Sequence, residues 1–285
     1  MTRVSDFAEH LRGFAIREAD GVREEVGTID HEGRRLLFVL VRPQGGTRRT
    51  GLVIAHSFLE MAMLQKTELS LARRAAASGY PVIYLQAPGA GDSEGEEAAL
   101  TIEARVESVL AASSFLDTWV DALESFCFFG VRLGAAVATM AAQRAERAGG
   151  LVVWDPIFDA GRYWKQARRL ARIIAVVGRQ RGFEDPEKEL ARNGWASMFG
   201  NTITEDLRTD LRACSAALDG ARLEVPTLVL SLNDEMVAGS LTEMASVTVD
   251  PDTYSLNRPD VGHLGLRDAP EAVEPTVEWM ARRLG

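Results

Sequence analysis

A stretch of small and apolar residues, FCFFGVRLGAAVATM at positions 126–140, has the pattern of a strand, a sharp turn and a helix. Glycines stand two residues before and two residues after Arg132. This spacing is typical of a nucleophile elbow, a strained turn that holds a reactive side chain above the end of a strand. The guanidinium of Arg132 stays protonated and cannot act as that nucleophile. The stretch therefore predicts the backbone of an enzyme site without its usual reactive hydroxyl.

Two further titratable side chains follow predicted strands, Asp234 after TLVLSL and His263 within RPDVGHLGL. An imidazole at a strand end can move protons, and a carboxylate can orient it. Asp234 could instead cap a helix, and Asp155, which follows the strand LVVW, is a rival acid. We predict that His263 and Asp234 belong to the same site as Arg132.

Three uses of Arg132 are open. The helix that begins after it has unpaired N–H groups and a positive dipole end, so a guanidinium there would complete a site for a carboxylate, phosphate or sulfate. Alternatively, Arg132 forms an internal ion pair with Asp234, Asp155 or Glu60 and rigidifies a silent site. A third use is catalytic, in which the cation polarises a substrate carbonyl.

Other groups could replace the missing hydroxyl. Ser57 follows His56 after a predicted strand, although serines in such loops more often provide hydrogen bonds. Ser93, in Asp-Ser-Glu, has the pattern of a turn residue. A water molecule activated by His263 needs no serine at all.

Strands and helices alternate along most of the chain, which predicts an α/β fold with a mostly parallel sheet and helices on both faces. Predicted strands are 35–43, 50–57 and the runs YPVIYLQAP, SFCFF, GGLVVWDP and VPTLVLSLND; one more lies within SVTVDPDTYSL. Predicted helices are 63–78, 102–123, 133–147 and 270–284. The first thirty residues are polar and mixed.

Residues 157–223 interrupt this alternation, because they contain helical patterns and no convincing strand. We predict a helical cap at 157–223, inserted between a first core part at 1–156 and a second at 224–285. Such an insertion can cover the carboxyl ends of the strands, where open α/β sheets bind ligands.

Composition excludes several classes of protein. The net charge of −9 argues against general binding to nucleic acid. The two cysteines, Cys127 and Cys214, have no metal-binding or CxxC spacing, so we expect structural roles and no metal. The loop GAGDSEG is one residue too long for a dinucleotide motif and crowded with carboxylates, so we expect no cofactor. No apolar run is long enough to cross a membrane, and we expect a cytoplasmic protein with a small-molecule substrate.

The motifs GVRLGA, APGAGDSEG and GHLG together resemble the α/β-hydrolase superfamily over almost the whole chain. The GVRLGA elbow, the VVWDP segment and the aromatic, basic helix GRYWKQARRLARI resemble more closely the hydrolases associated with exosortase A systems. That branch also tends to carry arginine in the elbow.

The resemblance implies an α/β-hydrolase fold and roles for particular residues. His56 and Ser57 would form the oxyanion loop, to which Leu133 would add its backbone N–H. His263 would be the base and Asp234 its orienting acid. The implied activity is hydrolysis of an acyl, ester or thioester-like small molecule, whose acyl group could be carrier-bound. The alternative is a catalytically silent protein that binds an anionic ligand or an acyl carrier through Arg132.

Overall fold

The computed structural model describes residues 16–57, 61–96, 100–179, 181–219, 222–231, 252–255 and 270–285. The strands are β1 (Ile16–Ala19), β2 (Val22–His31), β3 (Arg34–Pro43), β4 (Thr50–Ala55), β5 (Val82–Leu85), β6 (Ser125–Val131), β7 (Ala148–Trp154), β8 (Trp195–Met198), β9 (Asn201–Thr204), β10 (Thr227–Ser231) and β11 (Asp252–Ser255). The helices are α1 (Met61–Ala77), α2 (Ile102–Trp119), α3 (Leu133–Arg144), α4 (Ala160–Val177), α5 (Pro186–Asn193), α6 (Glu205–Leu218) and α7 (Val273–Arg283), the last preceded by a 3-10 turn at Pro270–Ala272.

Nine of these strands form one sheet in the order β1-β2-β3-β5-β4-β6-β7-β10-β11. The strands from β5 to β11 in this order are parallel, whereas β1, β2 and β3 add an antiparallel edge. The predicted α/β class is therefore confirmed. Parallel neighbours joined through helices bring the carboxyl ends of β4, β6 and β7 to one edge of the sheet.

The central strands are buried on both faces, which explains their continuous apolar sequences. Alternate residues enter two apolar layers, because side chains of a strand alternate between its faces. Val53 and Phe128 pack in the layer that contains α2, α3 and α6. Leu52 and Phe129 pack in the layer that contains α1 and α7. The two layers hold β4 and β6 rigidly, and with them the turn at Arg132.

The prediction of no strand within 157–223 is wrong. In this segment α4 and α5 are followed by an antiparallel hairpin, in which Trp195 of β8 pairs with Thr204 of β9. Phe199 and Gly200 connect the two strands, with φ angles of 54° and 84°. Two consecutive positive φ angles are typical of a tight hairpin turn whose first position usually holds asparagine or aspartate. Phenylalanine at that position concealed the turn in the sequence.

Two strands also occupy part of the polar N-terminal region. β1 and β2 pair antiparallel across Asp20 and Gly21, and β2 and β3 across Glu32 and Gly33. All four turn residues have positive φ angles. The Asp-Gly dipeptide is a hairpin signal, but the strands beside it expose many charged side chains and lack a simple apolar alternation.

Predicted helix ends also need correction. α2 ends at Trp119 rather than residue 123, and α3 ends at Arg144 rather than residue 147. Val120 and Ala145, which follow these helices, are in extended conformation.

None of the helices in the described ranges is both long and apolar enough to cross a membrane.

Candidate active site

The carboxyl ends of three neighbouring strands form the candidate site. β4 and β6 pair in parallel with Ala55 opposite Gly130, and β6 and β7 with Val131 opposite Trp154. The residues that follow therefore leave the sheet side by side: His56 and Ser57 after β4, Arg132 after β6 and Asp155 after β7. The register brings the backbones of four residues that the sequence singled out to the same edge of the sheet.

Arg132 occupies a strained turn between β6 and α3. Its φ and ψ angles are 51° and −116°, a conformation that non-glycine residues rarely adopt. The backbone holds it there, because its N–H donates to Trp154 O at 2.9 Å and its carbonyl accepts from Ala135 N–H at 3.1 Å. Strain that is maintained by its surroundings occurs preferentially at functional sites.

Two glycines make this turn sterically possible. A Cβ atom on Gly130 would lie 2.2 Å from the carbonyl oxygen of Gly134. A Cβ atom on Gly134 would lie 2.6 Å from the carbonyl oxygen of Ala55. The first turn of α3 therefore packs directly against the ends of β4 and β6, and side chains at either glycine would separate them.

The side chain of Arg132 is buried, with 8% of the residue exposed. Its Nη2 donates to Oε1 of Gln166 at 2.9 Å. Gln166 belongs to α4, so the segment after β7 reaches the turn. This hydrogen bond orients the guanidinium. The motif GRYWKQARRLARI contains Gln166 but gave it no role, because its contact with Arg132 depends on how α4 packs on the sheet edge.

Leu133 is the first residue of α3 and is 3% exposed. Its N–H belongs to the first turn of the helix, where backbone donors lack carbonyl partners within the helix. Arg132 precedes it without capping α3 through its side chain. A guanidinium and the positive end of a helix dipole thus occupy the same turn, which can stabilise an anion.

Asp155 also has a positive φ angle, 42°, and is 2% exposed. Its backbone N–H donates to Leu230 O of β10 at 2.9 Å. The sequence identified it as a rival acid, and the register places it next to Arg132 on the neighbouring strand.

Glu68 of α1 is a buried carboxylate that the sequence reading missed. Its Oε2 bonds to Nδ1 of His56, and its Oε1 accepts from the backbone N–H of Ser57 at 3.3 Å. The ring of His56 also packs edge-on against Tyr84, with centroids 4.0 Å apart. The N–H of Ser57, which the resemblance assigns to the oxyanion loop, is therefore in contact with a carboxylate.

A sequence signal for Glu68 existed. Glu68 stands three, four and seven residues before Leu71, Ala72 and Ala75, which are fully buried on α1. These spacings place the carboxylate on the buried face of an amphipathic helix. A charged residue on such a face requires a partner, and His56 is that partner.

Ser93 is held within its loop. Its hydroxyl donates to Gln86 O at 2.8 Å and accepts from Leu37 N–H at 2.9 Å. Both contacts support the predicted turn role, in which the hydroxyl connects the loop to β3.

Asp234, His263 and Glu60 lie outside the described residues. Their roles therefore remain predictions from the sequence and the resemblance.

A small cavity of about 20 Å³ lies beside the end of β4. Ala55 and His56 line it together with Gln86, Arg105 and Val137. This volume holds about one water molecule. Within the described ranges, no group of three or more potential metal-ligating side chains occurs.

Both cysteines are buried, as predicted for structural residues. Burial raises the pKa of the Cys127 thiol, and burial together with Asp210 raises the pKa of the Cys214 thiol to about 12. We expect neither thiol to react with 5,5′-dithiobis(2-nitrobenzoic acid) in the folded protein near neutral pH, because the thiolate is the reactive form. Both should react after unfolding in guanidinium chloride. Rapid labelling of either thiol in the folded protein would contradict its burial.

Several solved structures share this architecture at low sequence identity. α/β-hydrolase domain-containing protein 10 from mouse is 16% identical, with a TM-score of 0.63, and the match covers 90% of this chain and 97% of the mouse chain. Est1E from Butyrivibrio proteoclasticus, solved with ferulic acid, is 13% identical, with a TM-score of 0.61 and coverage of 90% and 99%. An esterase from Pyrococcus furiosus is 13% identical, with a TM-score of 0.61 and coverage of 92% of each chain.

No protein-family model matches the chain, and no curated protein sequence does. The structural likeness nevertheless extends over nine tenths of the chain and over nearly all of each similar structure. Together with the sheet order and the strained turn between β6 and α3, it confirms the predicted architecture: the chain has the α/β-hydrolase fold.

Proposed function

We propose that this protein is a hydrolase-type enzyme that acts on an acyl, ester or thioester-like small molecule at the end of β6. The observation that carries the proposal is the strained turn at Arg132, which places a buried guanidinium at the N-terminus of α3. In the family that the chain resembles, this turn presents the reacting side chain.

Arginine at this position changes the chemistry. Its guanidinium cannot accept a proton or attack a carbonyl carbon, so a water molecule would attack the substrate directly. Negative charge then develops on the carbonyl oxygen. Arg132 and the first N–H groups of α3, that of Leu133 included, would stabilise this oxyanion in a site with little water.

A base must take a proton from the attacking water. We assign this role to His263, with Asp234 as its orienting acid, because their order after Arg132 and their placement after predicted strands match the resembling family. Asp155 is the alternative acid, since it leaves β7 beside Arg132.

Residues 157–223 would form a cap over the site. The hydrogen bond from Arg132 to Gln166 of α4 supports this assignment, because it brings the segment to the end of β6. A cap would exclude water and strengthen the electrostatic effect of the guanidinium. The sequence motifs resemble those of hydrolases associated with exosortase A systems, and on this resemblance we place the enzyme in the cytoplasm, in a pathway of lipid or polysaccharide export.

A second candidate function is binding without turnover. The observation that favours it is the contact between Ser57 N–H and Glu68, because a donor bonded to a carboxylate cannot also stabilise an oxyanion. The protein would then hold an anionic ligand or an acyl carrier through Arg132.

The proposed base gives the first test. We expect the wild type to hydrolyse members of a panel of p-nitrophenyl esters, ethyl esters and acyl-coenzyme A thioesters of short chain length. His263→Ala should lower kcat about a hundredfold or more, because general-base catalysis contributes 10²–10⁴-fold. Steady-state rates are measured from nitrophenolate absorbance for the p-nitrophenyl esters, from a pH indicator for the ethyl esters and from a chromogenic thiol reagent for the thioesters.

Two outcomes would contradict parts of this proposal. Full activity in His263→Ala would remove the assigned base. A wild type that hydrolyses nothing in the panel, but binds acetate or phosphate by calorimetry, would favour the second function. Lys165→Gln is a matched control, since Lys165 is exposed on α4 one residue before Gln166.

A further inference from the structure

His56 and Glu68 form a buried pair beside the proposed site. Their side chains are 6% and 1% exposed, and Nδ1 of His56 bonds to Oε2 of Glu68. The second carboxylate oxygen accepts from the backbone N–H of Ser57. Glu68 therefore binds two consecutive residues of the loop after β4 and fixes the plane of the imidazole.

The opposite nitrogen of the His56 ring lacks the kind of partner that Nδ1 has. Nε2 of His56 is buried and has no hydrogen-bond partner among the described residues. Buried polar side-chain atoms usually have a partner, and an exception requires an explanation. A carboxylate on Nδ1 and an unpartnered Nε2 is the arrangement of a catalytic histidine with its orienting acid.

The pair lies next to the turn at Arg132. His56 follows Ala55, which is opposite Gly130 in the sheet. A Cβ atom on Gly134 would also lie 2.9 Å from the carbonyl oxygen of His56. The backbone of His56 thus packs against the first turn of α3, where the oxyanion would form.

Two titratable groups contact the imidazole, and a charged group from a third element lines the neighbouring cavity. Glu68 of α1 accepts from Nδ1, Tyr84 of β5 meets the ring edge-on, and Arg105 of α2 lines the cavity that His56 also lines. The carboxylate in direct contact orients the ring, as the acid of a catalytic triad orients its histidine. A protonated ring carries an N–H donor at Nε2.

We propose that His56, positioned by Glu68, is the general acid that protonates the leaving group. This inference rests on the proposed hydrolase function. Attack by water without a covalent intermediate requires two proton transfers around one tetrahedral intermediate. His263 takes the proton of the attacking water as its oxygen bonds to the acyl carbon. The carbon–oxygen or carbon–sulfur bond then breaks, and the Nε2 proton of His56 passes to the departing atom.

The leaving group provides a test that a purely structural role would not satisfy. p-Nitrophenolate leaves without protonation, whereas an ethoxide must be protonated as it departs. We expect His56→Gln to lower kcat/KM for ethyl butyrate about a hundredfold more than for p-nitrophenyl butyrate. Glu68→Gln should shift the ratio of the two rates in the same direction. Ser70→Ala, on the same helix as Glu68, should leave the ratio unchanged.

Equal losses with both esters in His56→Gln would overturn the acid role, and so would no loss. If the wild type hydrolyses no member of the ester and thioester panel, the hydrolase proposal fails as well, so failure of the two proposals can be distinguished. Should His56→Gln fail to fold, ¹⁵N NMR of the His56 imidazole in the wild type still tests the acid role, because it reports whether each ring nitrogen carries a proton. Two protonated ring nitrogens at the pH of maximal ethyl-ester turnover support the role, and a neutral ring there contradicts it.

Discussion

Arg132→Gln should lower kcat for ester hydrolysis about 10²- to 10³-fold, the range measured when one donor of an oxyanion hole is removed. The amide keeps a hydrogen-bond donor near the end of β6 but loses the positive charge. Because the charge acts mainly on the oxyanion of the transition state, KM should change much less than kcat. Steady-state kinetics on the ester that the wild type hydrolyses fastest measures both constants.

Variants at the same position separate charge from geometry. Arg132→Lys keeps the charge but loses the planar fork that holds Gln166, so its rate should lie between those of the wild type and Arg132→Gln. Arg169→Gln removes an exposed arginine of α4 and should retain wild-type rates, which controls for net charge.

Arg132→Ser restores the hydroxyl of a conventional nucleophile elbow. If only this variant hydrolyses esters, the arginine silences the natural site and the binding function replaces the enzymatic one. Wild-type rates in Arg132→Gln would instead show that the guanidinium takes no part in the reaction.

The strands of the sheet could be predicted where burial on both faces requires an apolar sequence. The strand interiors of β4, β5, β6 and β7 are buried on both faces, and their apolar runs identify them without further information. The antiparallel edge follows a different rule, since β1 and β2 are partly exposed and rich in charged residues. Their turns carry the information instead, in Asp20-Gly21 and Glu32-Gly33.

The residues of the candidate site also differ in whether the sequence alone could identify them. Arg132, Leu133 and Asp155 follow strand ends that the sequence reveals, and parallel pairing brings strand ends together whatever their side chains. Glu68 and Gln166 lie in helices, and their contacts depend on the rotation and docking of α1 and α4. The hydrophobic periodicity of α1 shows which face of the helix is buried, and it could therefore have identified Glu68. The docking of α4 depends on contacts distant in sequence, so Gln166 could not have been identified.

A single methyl group at Gly130 should destabilise the fold by about 3 kcal/mol or more, toward the upper end of overpacking effects. Its Cβ would lie 2.2 Å from the Gly134 carbonyl oxygen and 2.6 Å from the nitrogen of Ala135. Both are backbone atoms, which a rotamer change cannot move. For Gly130→Ala we expect the thermal midpoint to fall by about 10 °C, and turnover to fall because α3 must shift away from β6.

Gly45→Ala is the matched control, because a Cβ atom at Gly45 has no neighbour within 4 Å and the residue is exposed. Differential scanning calorimetry should show a midpoint close to that of the wild type. If Gly130→Ala also matched the wild type, α3 would not pack on β6 as described. Arg132 would then lack the rigid turn on which anion stabilisation depends, since a donor that must move during the reaction stabilises charge less than a preorganised one. Stability and catalysis should therefore fail together at Gly130, whereas at Arg132 catalysis should fail alone.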